Sequence, residues 1–83
     1  MTYRVFIGLW EDDEDHDWVA TDIRGLSWED ARSRLSDHLS GYLNDDWEFV
    51  RKDAEDELEK LRYATPGRFE ADVDGTDYLI IPE

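Results

Sequence analysis

The dipeptide Asp74-Gly75 lies between two alternating runs, 68–73 and 76–81, and constrains the fold more than any other stretch. A two-residue Asp-Gly connection favours a type I′ turn, whose twist matches that of the flanking strands. The turn sets the register: Val73 opposite Thr76, Asp72 opposite Asp77, Ala71 opposite Tyr78, and Phe69 opposite Ile80. Phe69, Ala71, Val73, Tyr78 and Ile80 then share an inward face, and Glu70, Asp72 and Asp77 share the outer one. Like charges directly across a strand pair are destabilising, so the Asp72 and Asp77 pair is a local cost that needs a reason.

Tyr3 to Trp10 also alternates, with Tyr3, Val5, Ile7 and Leu9 opposite Arg4, Phe6, Gly8 and Trp10, as in a half-buried strand. Residues 11–17 follow, six carboxylates and one His; a run with no apolar face is expected as a loop. Trp18 to Ile23 reads as a short return strand, with Val19, Thr21 and Ile23 opposite Trp18, Ala20 and Asp22, so the acidic run should tip a hairpin. Ser27 as N-cap, Asp30 three residues on, and Leu26 with Ala31 as a hydrophobic staple start a first helix. Its buried stripe is Trp28, Ala31, Leu35, Leu39 and Tyr42, with Gly41 as terminator. Asn44 or Asp45 should cap a second helix with the stripe Trp47, Val50, Ala54, Leu58 and Leu61. Glu48, Glu55, Asp56 and Glu59 point away from it, and the pairs Glu48 with Lys52 and Asp56 with Lys60 relieve some repulsion. Thr65-Pro66-Gly67 ends the helical region. The order β-β-α-α-β-β predicts an α+β two-layer domain over 1–83, with a mainly antiparallel four-stranded sheet and two helices on one face.

Eighty-three residues hold one small core, and four Trp, four Tyr and three Phe supply the buried area that lets so charged a chain fold. Cysteine is absent, which removes disulfides, thiolate nucleophiles and cysteine-based metal sites. No apolar run approaches the roughly 18 residues of a membrane helix, and no secretory leader pattern is present, so the expected compartment is the cytoplasm.

Candidate chemistry is sparse. The five glycines form no phosphate-cradling pattern. Ser36 and His38 are two apart on a helix and do not face each other, and His38 at the edge of the first stripe reads as structural. Asp13, Asp15, His16 and Asp17 offer cation ligands, but the run lacks the glycine of a calcium loop, so no specific metal or other cofactor is expected. The chain reads as a binding protein and not as an enzyme.

The formal net charge is −14, with 14 Asp and 9 Glu against 7 Arg and 2 Lys. An excess of this size concerns partners and solubility. It disfavours direct contact with nucleic acid or anionic lipid and favours a basic protein. Carboxylates two apart on a strand face lie roughly 7 Å apart, and those four apart on a helix roughly 6 Å apart along its axis. Both spacings are of the order separating neighbouring phosphates. In size, charge and aromatic content the whole chain resembles the small acidic proteins of phages and mobile elements that inhibit host defence by imitating DNA, anti-CRISPR and anti-restriction proteins among them. The resemblance implies a stoichiometric inhibitor that occupies the site of a nucleic-acid-binding protein.

The partner-binding residues expected on this reading are Glu11, Asp12, Asp13, Glu14, Asp15 and Asp17, then Glu48, Glu55, Asp56 and Glu59, then Glu70, Asp72 and Asp77. Phe49, projecting from the acidic helix face, would be an anchor. Phe6, Trp10, Leu79 and Ile81 on the outer sheet face offer either an interface or a homodimer contact. The competing reading is a structural or interaction domain from a halophilic or GC-rich background, whose acidity serves solubility.

Overall fold

Asp74 and Gly75 both adopt positive φ, 52° and 78°, as a type I′ turn requires. The hairpin they close has the register expected from its sequence, from Val73 with Thr76 to Phe69 with Ile80. In this computed structural model residues 1–11 and 15–83 are described, with side chains described outside 9–22. The elements are β1 (Tyr3–Glu11), β2 (Asp15–Leu26), α1 (Trp28–Ser40), a 3-10 turn (Gly41–Asn44), α2 (Glu48–Tyr63), β3 (Phe69–Val73) and β4 (Thr76–Pro82). The four strands form one antiparallel sheet in the order β2-β1-β4-β3, so the two hairpins join through β1 and β4. Both helices cover one face, giving the α+β domain expected from the element order.

The core lies between these layers. Val5, Val73, Tyr78 and Ile80 from the sheet pack with Leu35, Leu39, Val50 and Leu61 from the helices, all nearly excluded from solvent. Ser27 caps α1, its Oγ accepting from the backbone N–H of Asp30 at 3.2 Å. The α1 stripe is buried at Trp28, Ala31, Leu35 and Leu39. A hydroxyl contact of 2.7 Å between Tyr42 and Tyr78 ties the helix connection to the sheet. Across the sheet edge, Glu83 accepts from the backbone N–H of Gly25 and pairs with Arg24, linking the end of β4 to β2.

Several expectations are corrected. The acidic stretch is not a seven-residue loop: Glu11 belongs to β1, and Asp15, His16 and Asp17 begin β2, with Glu11 paired to Asp15 and Leu9 to Asp17. The β1 ladder with β4 ends at Leu9, so residues 10–11 and 15–16 extend beyond it as a two-stranded arm. Backbone ladders extend such an arm without needing a buried face. Asp12, Asp13 and Glu14 lie outside the described residues. The return strand runs twelve residues, and its pairing with β1 shifts register three times. Ile23 pairs with Val5 and Ala20 with Ile7, a step of three against two, so simple alternation over 18–23 does not hold. Gly25, with φ +72°, sits at one of these irregularities.

The helix ends differ too. Gly41 stays right-handed, and the chain tightens into the 3-10 turn instead of a left-handed cap. Neither Asn44 nor Asp45 is the N-cap of α2. Trp47 holds that position with extended backbone, and the Asp45 carboxylate accepts its N–H at 2.9 Å. The helical period therefore begins at Glu48. Trp47, projected as core by counting back from Val50, is 64% exposed. The buried α2 stripe is Val50, Ala54, Glu57 and Leu61, with Leu58 only partly buried.

Candidate functional site

The acidic helix and the acidic hairpin meet at one edge of the domain, because α2 packs along β3, the edge strand of the sheet. A cleft of about 460 Å³ is lined by Glu57 and Lys60 of α2, by Arg68, and by Glu70, Asp72, Asp77 and Tyr78 of the hairpin. Asp72 and Asp77 stand opposite each other there, as the turn chemistry requires. Arg68 pairs with Glu70. A second, shallower surface of α2, formed by Asp53, Asp56, Glu57, Glu59, Lys60 and Tyr63, shares Glu57 and Lys60 with the cleft. The two carboxylate groups are thus continuous through the Glu57 and Lys60 pair.

That pair was not legible as a site. Glu57 is 8% exposed, one carboxylate oxygen bound by the Lys60 ammonium at 2.9 Å and the other buried with no hydrogen-bond partner among the described residues. Its spacing, three after Ala54 and four before Leu61, marks it as inward-facing, a signal that its charge obscured. The ion partner of Lys60 is Glu57, not Asp56 as expected. The hydrogen bond and charge of Glu57 raise the Lys60 ammonium above its ordinary pKa, and Asp56 and Asp72 add to the effect. Carboxylates of helix and hairpin act on the same ammonium, so their fields overlap. Burial, reinforced by Tyr42, pushes the Tyr78 phenol up.

The other expected positions are distributed as follows. Glu48, Glu55, Asp56, Glu59, Glu70 and Asp72 are exposed and Asp77 is half-buried. Glu55 is one turn from Glu59, while Glu48 lies at the N-terminal end of α2, beyond the cleft. Phe49 is 59% exposed, and its ring meets that of Trp47 edge to face at 5.6 Å. Phe49 precedes Asp53 by four and Asp56 by seven, which sets it in line with the acidic surface of α2. Asp12, Asp13 and Glu14 lie outside the described residues, and for Glu11, Asp15 and Asp17 only the backbone is described.

On the outer sheet face, Phe6 and Leu79 are paired neighbours, and both are half-buried, as is Ile81. The Arg4 guanidinium covers Phe6 at 4.7 Å from the ring centre, so this face is partly screened within the monomer. His38, expected at the edge of the core, is exposed, with its ring 6.2 Å from Tyr78.

Among the described residues, no group of three or more His, Asp or Glu is arranged to hold a metal ion, and no helix is long and apolar enough to cross a membrane. The arrangement presents a carboxylate surface with Lys60 and Arg68 embedded in it, and the exposed rings of Trp47 and Phe49 at the N-terminal end of α2. No family model, curated protein or solved structure matches the chain.

Proposed function

We propose that this protein is an acidic nucleic-acid mimic that binds a DNA- or RNA-binding protein and blocks its basic site, as a phage or mobile-element inhibitor of host defence would. The observation that carries the reading is the continuity of carboxylates from Asp53, Asp56 and Glu59 on α2, across Glu57 and Lys60, to Glu70, Asp72 and Asp77 on the hairpin. A basic groove that grips phosphates with Lys and Arg meets on this edge seven carboxylates against two cations, Lys60 and Arg68. Binding is competitive with nucleic acid, electrostatically steered, and weaker as salt rises.

The test is retention of a partner from a lysate of the source organism on immobilised protein at low salt. The comparison is a variant carrying Glu70→Gln, Asp72→Asn and Asp77→Asn. Recovery of one stoichiometric nucleic-acid-binding protein, displaced by nucleic acid and lost with the variant, supports the reading. Recovery of nothing specific by folded protein counts against it.

A second reading, acidity serving solubility in a salt-rich cell, is favoured by exposed Glu29, Asp30 and Asp37 on α1, on a different element from the acidic edge. It calls for stability that climbs steeply from low to molar salt. The first reading calls for a domain well folded at low salt.

A further inference from the structure

We infer that the exposed Trp47 and Phe49 pair imitates unstacked bases, and that the partner is a protein that binds single-stranded nucleic acid through a basic groove with a stacking platform. The inference rests on the mimic reading and narrows its target. The two rings contribute nothing to the core: they are 64% and 59% exposed, absent from the buried cluster, and in contact with each other. Nor do they dangle. Asp45 accepts the Trp47 N–H, the Arg51 guanidinium donates to the Asp45 carbonyl, and Val50 and Arg51 donate their N–H groups to the Trp47 carbonyl at 3.1 Å each. The backbone bearing the rings is therefore fixed before any partner arrives, which lowers the ordering cost of binding.

Charge identifies the class of partner. Asp45, Asp46 and Glu48 share one five-residue segment with the rings, and Asp53 and Asp56 continue the line from Phe49, with Arg51 and Lys52 the only cations between them. Duplex nucleic acid shows a protein its phosphates and hides the faces of its bases. A single strand shows both, and proteins that bind it combine cationic side chains with aromatic platforms for the bases. A surface that sets aromatic rings among carboxylates matches the second pattern. A second copy of this chain is a poor occupant, since it would bring a further charge of −14 to the same segment.

The experiment uses the partner retained by immobilised wild-type protein and compares its elution by oligothymidylate and by a blunt duplex of equal length. Three variants are compared: Trp47→Ser with Phe49→Ser, Asp72→Asn with Asp77→Asn, and Leu43→Ser as a control at an exposed apolar residue of the 3-10 turn, outside both acidic surfaces. Circular dichroism verifies that each is folded. The expected result is elution by the single strand at a concentration at least about tenfold below that of the duplex. Loss of both rings weakens binding by roughly tenfold or more, and Leu43→Ser leaves it unchanged. Equal or better elution by duplex, or wild-type binding by the ring variant, overturns the inference. If the Asp72 and Asp77 variant still loses the partner in that case, the mimic reading stands without it. Wild-type self-association abolished by the ring variant overturns it in favour of a second copy. Retention of no nucleic-acid-binding protein overturns both.

Discussion

Asp72 and Asp77 face each other across the terminal hairpin, held in that register by the positive-φ turn at Asp74 and Gly75. Opposed carboxylates weaken a strand pair by roughly 0.2–1 kcal/mol. Changing Asp72 to Asn is expected to raise stability by that order at low ionic strength. The gain should shrink in molar salt, where screening acts within a few ångströms. Urea denaturation of wild type and variant at two salt concentrations measures it. A gain that does not depend on salt would show that the two charges do not repel.

The buried phenol of Tyr78 governs behaviour in alkali. Its folded pKa is raised above the ordinary 10.0 by burial and by Tyr42, so from about pH 10 upward the unfolded chain releases a proton that the folded chain keeps. Stability is complete below that value and falls as pH rises, and the raised pKa of Lys60 acts in the same direction. Tyr78→Phe is expected to cost about 1 kcal/mol at neutral pH through the lost bond to Tyr42. It should also flatten the alkaline decline. Urea midpoints from pH 7 to 11 for the two proteins give both effects, and an identical alkaline slope would exclude Tyr78 as its source.

Glu57 is a buried carboxylate with one oxygen unsatisfied among the described residues. Removing one partner of an ion pair is costly when it strands the other charge in the interior, but the Lys60 side chain is 65% exposed and stays solvated without Glu57. Glu57→Met should therefore leave stability unchanged or raise it by on the order of 1 kcal/mol. It should also let the Lys60 pKa fall back toward 10.5. Carbon-13 titration of labelled lysine reads the second effect, and an unmoved Lys60 would mean that Asp56 and Asp72 dominate its field.

Exposure separates binding residues from core residues. Trp47→Ser with Phe49→Ser should change stability by no more than about 0.5 kcal/mol, the usual range for surface changes. Leu35→Ala, at a site with no solvent exposure, should cost roughly 2–5 kcal/mol. Thermal unfolding of both compares them directly. A large loss in the first variant would place the rings in the fold and not on a binding surface.

Local chemistry made much of this molecule legible from its residues. The Asp-Gly turn specified the β3 and β4 register, Ser27 specified the start of α1, and helical spacing specified the faces of Leu35, Leu39, Val50, Ala54 and Leu61, because each depends on neighbours within a few positions. Trp47 was misassigned because the helical period does not extend back through an extended N-cap. The length of β2 is not legible because the backbone ladder at 15–16, which pairs with 10–11, leaves no alternating pattern in the residues that form it. Only the tertiary structure decided that β4 lies beside β1, that α2 runs along edge strand β3, and that Glu57 and Lys60 join the acidic helix to the acidic hairpin. Those relations link residues far apart in the chain, and the packing that closes such loops leaves no periodic trace in the sequence.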